Sequence, residues 1–297
     1  QFRQQNNIMG SRIERIFSNM GDSIDAFLLS TSEHPNTDLN FFYVTGIHSG
    51  SFEHSTALVK RNGEKLLFTS ELEAPIAKTE TDFKVVTERD QLKKHLSGIK
   101  KLGVNYNSIT FSKIKKLEGM TSAKLIDISQ SLSTARSIKD KREIENITKA
   151  CKISSRVADK IPSMIKPNIS EKELAGEITS LMLKESNNTS FPTIVAFGKN
   201  ASRPHHSPTD TRLKENEFVL TDFGAESNRY VSDISRTFVF GKADKKTREI
   251  YNTVLQAQLE SIDMIKAGVN GKDVDAHARK IIDKKFKETF IHSLGHE

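Results

Sequence analysis

Residues 217–240 read Glu217-Phe-Val-Leu-Thr-Asp-Phe-Gly-Ala-Glu-Ser-Asn-Arg-Tyr-Val-Ser-Asp-Ile-Ser-Arg-Thr-Phe-Val-Phe240. Two apolar runs flank a polar stretch, which predicts a β-hairpin with Asp222 late on its first strand and Asp233 early on its second. Because side chains alternate along a strand, Asp222 shares a face with Phe218 and Leu220. A carboxylate on an apolar face needs a compensating charge, and two neighbouring carboxylates repel unless a proton or a metal ion lies between them. The hairpin therefore suggests a metal site.

A second interpretation of this hairpin stays open. The polar segment 225–228 is predicted to form its turn, and Asp222 and Asp233 would then cap the turn or pair with Arg229 or Arg236. The spacing of the two aspartates alone does not choose between a metal site and these structural roles.

Three histidines add to the candidate site. His292 and His296 belong to Phe290-Ile-His-Ser-Leu-Gly-His296, where the glycine predicts an irregular backbone from which both imidazoles point inward. His205 lies in a loop that follows a strand broken at Gly198, and taken alone it is an ordinary surface histidine. Histidines combined with carboxylates suit manganese, cobalt, iron or zinc rather than calcium.

Length and composition restrict the class of protein. The chain has 297 residues, 36% hydrophobic and 28% charged, which suits two globular domains. No apolar run reaches the ~18 residues of a membrane span, and the N-terminus lacks a secretory pattern. The net charge of +7 comes from lysines interleaved with acids along the whole chain. We therefore expect a solvated lysine-rich surface, with neither a membrane nor a nucleic-acid partner.

Cys151 is the only cysteine. A single cysteine excludes a disulfide framework and is typical of a cytoplasmic protein. The helical pattern around it predicts a small buried residue, and a catalytic thiol is the alternative.

The first half of the chain alternates short strands and helices. We expect a disordered leader over residues 1–11 and a mixed α/β domain over residues 12–132. Asn62-Gly63 between two apolar runs predicts a hairpin, because both residues tolerate positive φ. The predicted elements are a helix at 13–20 and strands at 25–30, 39–46, 55–60, 64–69, 83–87, 101–105 and 124–128.

The second half, residues 133–297, is predicted to begin with a long amphipathic helix that Pro162 interrupts and Pro167 closes. Ser170 and Glu173 form a capping box for the next helix. Two further helices follow the hairpin, one ending at Gly268 and one over residues 274–282.

Seven segments, taken in order, resemble the creatinase, prolidase and aminopeptidase P superfamily of M24-type pita-bread metallopeptidases. The resemblance covers residues 12–296. It rests on Asn40-Phe-Phe-Tyr-Val-Thr-Gly46, the helix from Arg136 to Ala150, Ile194-Val-Ala-Phe-Gly198 with Asn200, Pro204-His205, Asp222-Phe-Gly224, Tyr230-Val-Ser-Asp233 with Ser235-Arg236-Thr237, and His292-Ser-Leu-Gly-His296.

The resemblance implies an α/β (α+β) chain with a creatinase/prolidase-like N-terminal domain before an incomplete pita-bread catalytic domain. In that family two aspartates, one histidine and two glutamates hold two divalent metals, here manganese or cobalt, with zinc or iron as alternatives. By position Asp222, Asp233 and His296 match the aspartate and histidine ligands. His205 and His292 match the active-site histidines that position the substrate and the tetrahedral intermediate.

The implied activity is hydrolysis of the Xaa-Pro bond by a metal-activated water, in dipeptides or at the N-termini of longer peptides. A homodimer is implied as well. Two alternatives stay open: a metal-free pita-bread relative that serves as a protein- or nucleic-acid-binding module, and a metal-free hydrolase such as creatinase. Methionine aminopeptidases fit less well, because they lack a counterpart of residues 12–132.

The sequence departs from the family pattern at its end. The family continues past the Gly-His pair with a further histidine and two strands that each carry a glutamate ligand, whereas this sequence reads His296-Glu297. We expect this polypeptide to be a C-terminally truncated part of a longer enzyme, and by itself inactive and poorly stable.

Overall fold

The computed structural model describes residues 11–21, 24–34, 36–88 and 90–295. Its contacts divide the chain into two units, Gln1–Lys149 with Ser227–Tyr230, and Ala150–Glu226 with Val231–Glu297. The domain boundary expected at residue 132 stays a prediction. The leader expected over residues 1–11 lies outside the described residues except for Ser11, which caps the first helix in a capping box with Glu14.

The first unit holds six strands and six complete helices of the described chain, as well as the start of a seventh helix. They are α1 (Arg12–Met20), β1 (Ala26–Ser30), α2 (Leu39–Thr45), β2 (Thr56–Lys60), β3 (Lys65–Phe68), α3 (Ala74–Glu80), β4 (Lys84–Val86), α4 (Gln91–Leu96), β5 (Lys101–Val104), α5 (Phe111–Glu118), β6 (Lys124–Asp127), α6 (Ser129–Ser137) and α7 (Lys141–Met164), of which Lys141–Lys149 belong to this unit.

One mixed sheet organises this unit, in the order β4-β3-β2-β1-β5-β6. The pairs β3/β4, β1/β5 and β5/β6 are parallel, and β1/β2 and β2/β3 are antiparallel. The central strand β1 is buried on both faces, because Phe27 and Leu29 belong to one apolar cluster and Ala26 and Leu28 to another. The hairpin predicted at Asn62-Gly63 is confirmed as the β2/β3 pair.

Residues 39–46 were predicted as a strand and are instead helix α2. Asp38 accepts a hydrogen bond from the backbone N–H of Asn40 at 2.9 Å and caps the start of the helix. Gly46 adopts a left-handed conformation, φ 74° and ψ 9°, and ends it. Aromatic residues favour strands only weakly, so these caps and the burial of Phe41 and Phe42 in the core decide for the helix.

The second unit holds the remaining described elements. They are the part of α7 from Ala150 onward, α8 (Glu171–Leu183), β7 (Asn188–Thr189), β8 (Ile194–Phe197), a 3₁₀ turn (Gly198–Ser202), β9 (Glu217–Phe223), β10 (Ala225–Ser227), β11 (Tyr230–Val231), β12 (Ile234–Phe240), α9 (Lys245–Met264) and α10 (Gly271–Asp283). Of these, Ser227 in β10 and Tyr230 in β11 belong to the first unit.

The core of this unit lies between two helices and an antiparallel sheet. The sheet has the order β12-β9-β8, and a smaller sheet has the order β11-β10-β7. Apolar side chains of α7 and α8 pack against the sheet, among them Val157, Ile161, Ile178, Val219 and Phe223. The predicted capping box of Ser170 and Glu173 starts α8.

Three expectations for these helices are wrong. Pro162 lies inside the last turn of α7, which continues to Met164 because Ile161 and Met164 are both anchored in the core. Cys151 is exposed, because the buried stripe of α7 runs through neighbouring positions such as Ala150 and Ile153. Helix α9 ends at Met264, four residues before Gly268.

The apolar face of α9 is exposed in the structure, at residues such as Tyr251, Val254 and Ile262. A narrow stripe of Thr253, Ala257 and Ser261 is buried instead. Among the described residues no helix is long and apolar enough to cross a membrane.

Candidate metal centre

The hairpin that carries the two aspartates turns later than predicted. Asn228 and Arg229 both have positive φ, 50° and 69°, as a two-residue type I′ hairpin turn requires. Residues 225–227, predicted as part of the turn, form strand β10 instead.

Tertiary contacts within the first unit support this turn. The guanidinium of Arg229 lies 3.9 Å from the ring centroid of Phe42, and it donates a hydrogen bond to the carbonyl oxygen of Gly50. Arginine rarely adopts positive φ, so these contacts offset the backbone cost. A sequence pattern gives no signal for them, which is why the turn was misplaced.

Strand pairing brings Asp222 and Asp233 onto one face of the hairpin. Asp222 lies opposite Ser235 in the β9/β12 pair. The same register continues to Ser232, whose N–H donates to the carbonyl oxygen of Ala225 at 3.0 Å, so Asp233 lies opposite Gly224. Asp222 and Asp233 are therefore diagonal neighbours on this face.

The environment of the two carboxylates is open. Phe218, Leu220 and Asp222 are half-buried, whereas Val219, Thr221 and Phe223 on the other face of β9 are buried. Asp222 thus shares a face with Phe218 and Leu220, as the alternation predicted. That face is the less buried one, and the core lies on the opposite side of the strand. Asp233 is exposed and precedes β12 instead of lying within it. Ser235 donates its hydroxyl hydrogen to Oδ1 of Asp222 at 2.8 Å and so orients that carboxylate.

Three serines, which sequence reasoning missed, hold the hairpin beside the aspartates. Ser190 donates to the carbonyl oxygen of Ser232 at 2.8 Å. The N–H of Ala225 donates to the hydroxyl oxygens of Ser154, at 3.1 Å, and of Ser232, at 3.0 Å. Gly224 lies against Ser190 and Ser232, which leave no room for a side chain at this position. A glycine inside a strand is the one sequence signal that points to such a close approach.

His292 lies in an irregular segment after α10, as predicted, but its side chain is exposed and not directed inward. Phe290 and Leu294 pack against the apolar cluster of α10 in its place. Arg279 holds the segment by donating to the carbonyl oxygens of Phe290, at 2.6 Å, and His292, at 2.5 Å. Asp275 accepts from the N–H of Leu294 at 2.8 Å.

The structure describes His205 but not His296. His205 is exposed in the loop that follows the 3₁₀ turn. The neighbouring residue, His206, is buried and bonded to Glu171, a pair that sequence reasoning did not single out. His296, the predicted third ligand, lies outside the described residues.

The donor set fits part of a metal site. Two carboxylates that share one face supply the hard oxygen ligands that divalent cations prefer, and a cation between them offsets their repulsion. In residues 11–21, 24–34, 36–88 and 90–295, no group of three or more His, Cys, Asp or Glu side chains could hold a metal ion. The described chain thus brings together Asp222 and Asp233 but no third ligand.

Comparisons with known proteins identify the family of the chain. Residues 12–138 match the Creatinase/Prolidase N-terminal domain, and residues 145–297 match Metallopeptidase family M24. An uncharacterized peptidase of Staphylococcus saprophyticus is 38% identical over 268 residues, which make up 88% of this chain and 77% of that protein.

Solved structures give the same result. The Xaa-Pro dipeptidase of Bacillus anthracis is 31% identical with a TM-score of 0.87, over 96% of this chain and 80% of that one. The X-Pro aminopeptidase of Thermotoga maritima is 32% identical with a TM-score of 0.84, over 93% of this chain and 79% of that one. These matches confirm the predicted fold class, an α/β N-terminal domain before a pita-bread domain. The chain belongs to metallopeptidase family M24, a family of peptidases that work with divalent metal ions.

Proposed function

We propose that the natural protein containing residues 1–297 is a metal-dependent peptidase that cleaves the Xaa-Pro bond. The observation that carries this proposal is the pairing of Asp222 and Asp233 on one face of the hairpin. The similarity to an Xaa-Pro dipeptidase and an X-Pro aminopeptidase supports the choice of substrate. A dedicated site is chemically sensible, because the amide before proline has no N–H for an ordinary peptidase to bind.

Each candidate residue has a role in this proposal. Asp222, Asp233 and His296 would hold divalent metal ions, manganese or cobalt in the first place and zinc or iron otherwise. When bound, such ions supply Lewis acidity that lowers the barrier to hydrolysis. His205 and His292 would bind the substrate and stabilise charge on the scissile carbonyl.

The chain's other residues prepare this site. Ser235 fixes the orientation of the Asp222 carboxylate through its 2.8 Å hydrogen bond. Gly224 leaves the space in which the two strands approach each other beside Asp233. Both features are made by atoms of the chain itself, and they hold these groups in place for the proposed site.

Three further points belong to the proposal. The substrates are proline-containing dipeptides or longer peptides, the protein forms a homodimer, and it works in the cytoplasm. The single cysteine, Cys151, supports a reducing compartment. Light scattering on the purified natural protein tests the dimer, and hydrolysis rates on Ala-Pro and Ala-Pro-Ala distinguish a dipeptidase from an aminopeptidase.

The decisive experiment changes Asp222→Asn in the natural protein. We expect Mn²⁺ binding to weaken and Ala-Pro hydrolysis to fall by roughly 10³-fold, because a neutral amide is a poor ligand for a divalent ion. The matched control is Asp263→Asn, an exposed aspartate on α9, which should change neither quantity. Unchanged Mn²⁺ stoichiometry and turnover in Asp222→Asn would refute the ligand assignment. A natural protein that binds no metal would favour the metal-free binding module instead.

A further inference from the structure

Glu171 is a buried carboxylate whose two oxygens are both fully engaged. It is the first residue of α8, and none of its surface is exposed. Oε1 accepts hydrogen bonds from the backbone N–H of Phe197, at 2.8 Å, and from Asn200 Nδ2, at 2.9 Å. Oε2 accepts from His206 Nε2, at 2.9 Å, and from both the N–H and the hydroxyl of Thr209, at 2.9 Å and 2.7 Å.

All of these donors belong to one loop, which we call the His205 loop, residues 197–211. It starts at the end of β8 and includes the 3₁₀ turn, after which residues 203–211 have almost no regular secondary structure. The N-terminus of α8 binds the far end of the same loop, since the N–H of Glu171 donates to Thr211 O and that of Lys172 to Thr209 O. The shape of the loop therefore depends on these contacts with α8.

His205 and His206 are adjacent but lie in different surroundings. His206 is buried against Glu171, with 7% of its surface exposed, whereas His205 is exposed. The hydrogen bond from His206 fixes the backbone from which the His205 side chain projects. A shift of that backbone would displace the His205 imidazole by a similar distance, and such displacements are costly in catalysis.

The charge state of Glu171 strengthens the contact. Burial opposes ionisation, but the hydrogen bonds from His206, Asn200, Thr209 and the Phe197 N–H outweigh it and lower the pKa of Glu171 to about 2. The carboxylate is thus ionised at neutral pH and acts only as an acceptor. A glutamine at this position would direct N–H groups at donors of the loop and lose part of the hydrogen bonding.

We propose that Glu171 is a positioning residue for His205: by binding both ends of the His205 loop, it sets the place from which His205 contacts the substrate. This inference rests on the proposed function, because His205 has a role only if the site cleaves Xaa-Pro bonds. Both carboxylate oxygens of Glu171 are engaged by the loop, so we assign Glu171 a role in positioning His205 and no direct contact with the substrate.

The test compares Glu171→Gln, His205→Ala and the double variant in the natural protein loaded with Mn²⁺. Each single variant should lower kcat/KM on Ala-Pro by about 10- to 100-fold, and the double variant should be no worse than His205→Ala, because the two residues act as a unit. Mn²⁺ stoichiometry should stay unchanged. Glu177→Gln, an exposed glutamate on the same helix, is the matched control and should match the wild type.

Hydrogen exchange provides a readout that does not need activity. Exchange of residues 198–211 should speed up in Glu171→Gln and not in Glu177→Gln. If Glu171→Gln does not fold, Thr209→Val removes one hydroxyl donor with little change of shape, and a loss of about 3- to 10-fold in kcat/KM is expected.

Two outcomes would overturn the inference: losses that multiply in the double variant, or unchanged exchange of residues 198–211 in Glu171→Gln. A wild-type protein that binds Mn²⁺ but does not cleave Ala-Pro refutes the proposed function, and with it the role of Glu171 in positioning His205. Faster exchange in Glu171→Gln would then show that Glu171 is only a structural anchor of the loop.

Discussion

The carbonyl oxygen of Ser232 lies 1.8 Å from the point where a Cβ on Gly224 would stand. The hydroxyl oxygen of Ser190 lies 2.1 Å from the same point. Real Cβ atoms do not approach other atoms this closely, so residue 224 must be glycine for the two strands to keep their separation. Gly224 also lies opposite Asp233 in the hairpin, which couples this close approach to the proposed metal site.

Gly224→Ala should therefore damage both stability and metal binding. We expect a loss of about 2 to 3 kcal/mol in the free energy of unfolding, since backbone atoms must move to admit the methyl group, and weaker Mn²⁺ binding as Asp233 shifts. Urea denaturation followed by circular dichroism and Mn²⁺ titration measure the two effects.

Gly176→Ala is the matched control for this change. Gly176 lies inside α8, and no atom outside its own helical backbone lies within 4 Å of the point where its Cβ would stand. Alanine there should raise stability by about 0.5 to 1 kcal/mol, because it favours the helix. If Gly224→Ala were as stable as Gly176→Ala, the close packing of the hairpin would be refuted.

Tyr230→Phe should destabilise the first unit. The hydroxyl of Tyr230 donates to Oε1 of Glu143 at 3.0 Å, and Glu143 has only 2% of its surface exposed. Burial raises the pKa of Tyr230, as does the Glu143 carboxylate, so the phenol keeps the proton that it donates. Its removal leaves a buried carboxylate short of one donor, at a cost of about 1 to 3 kcal/mol. Equal urea midpoints for Tyr230→Phe and for Tyr106→Phe, an exposed tyrosine, would contradict this role.

Acid should remove the stabilisation that Glu171 provides. The pKa of its carboxyl is about 2 in the folded chain and near the ordinary 4.5 when unfolded. The contribution of the Glu171 carboxylate to the free energy of unfolding is thus complete above pH 4.5 and is lost as the pH falls toward 2. At neutral pH this contribution amounts to roughly 3 kcal/mol.

Urea unfolding of the wild type and Glu171→Gln at pH 6, pH 4 and pH 3 tests this window. The stability difference between the two proteins should shrink as the pH falls, because glutamine does not titrate. A difference that stays constant down to pH 3 would show that the ionised form of Glu171 contributes nothing to stability.

Arg279→Gln should loosen the segment that leads to His296. Arg279 donates to two carbonyl oxygens, of Phe290 and His292, and it pairs with Asp275, so its charge holds a stretch with no regular secondary structure. We expect hydrogen exchange of residues 290–295 to speed up by about tenfold or more. Lys280→Gln changes the adjacent cation, which is exposed, and should leave the exchange unchanged. Equal protection in the two variants would mean that the apolar contacts of Phe290 and Leu294 suffice.

Short-range chemistry made part of this protein predictable. The capping box of Ser170 and Glu173 and the hairpin at Asn62-Gly63 depend on residues within three positions of each other, so the sequence predicted both correctly. Side-chain alternation along a strand has the same local origin, and it placed Asp222 on one face with Phe218 and Leu220.

The sequence by itself thus determined the elements whose causes lie within a few residues, together with the family that their order indicates. Tertiary structure decided the rest: the helix at Leu39–Thr45, the turn at Asn228 and Arg229, the outward side of Cys151, and the loop that Glu171 holds. Arg229 reaches Gly50, and Glu171 reaches Thr209, across long stretches of chain. No local pattern encodes such contacts, because they form only when the packed core brings distant segments together.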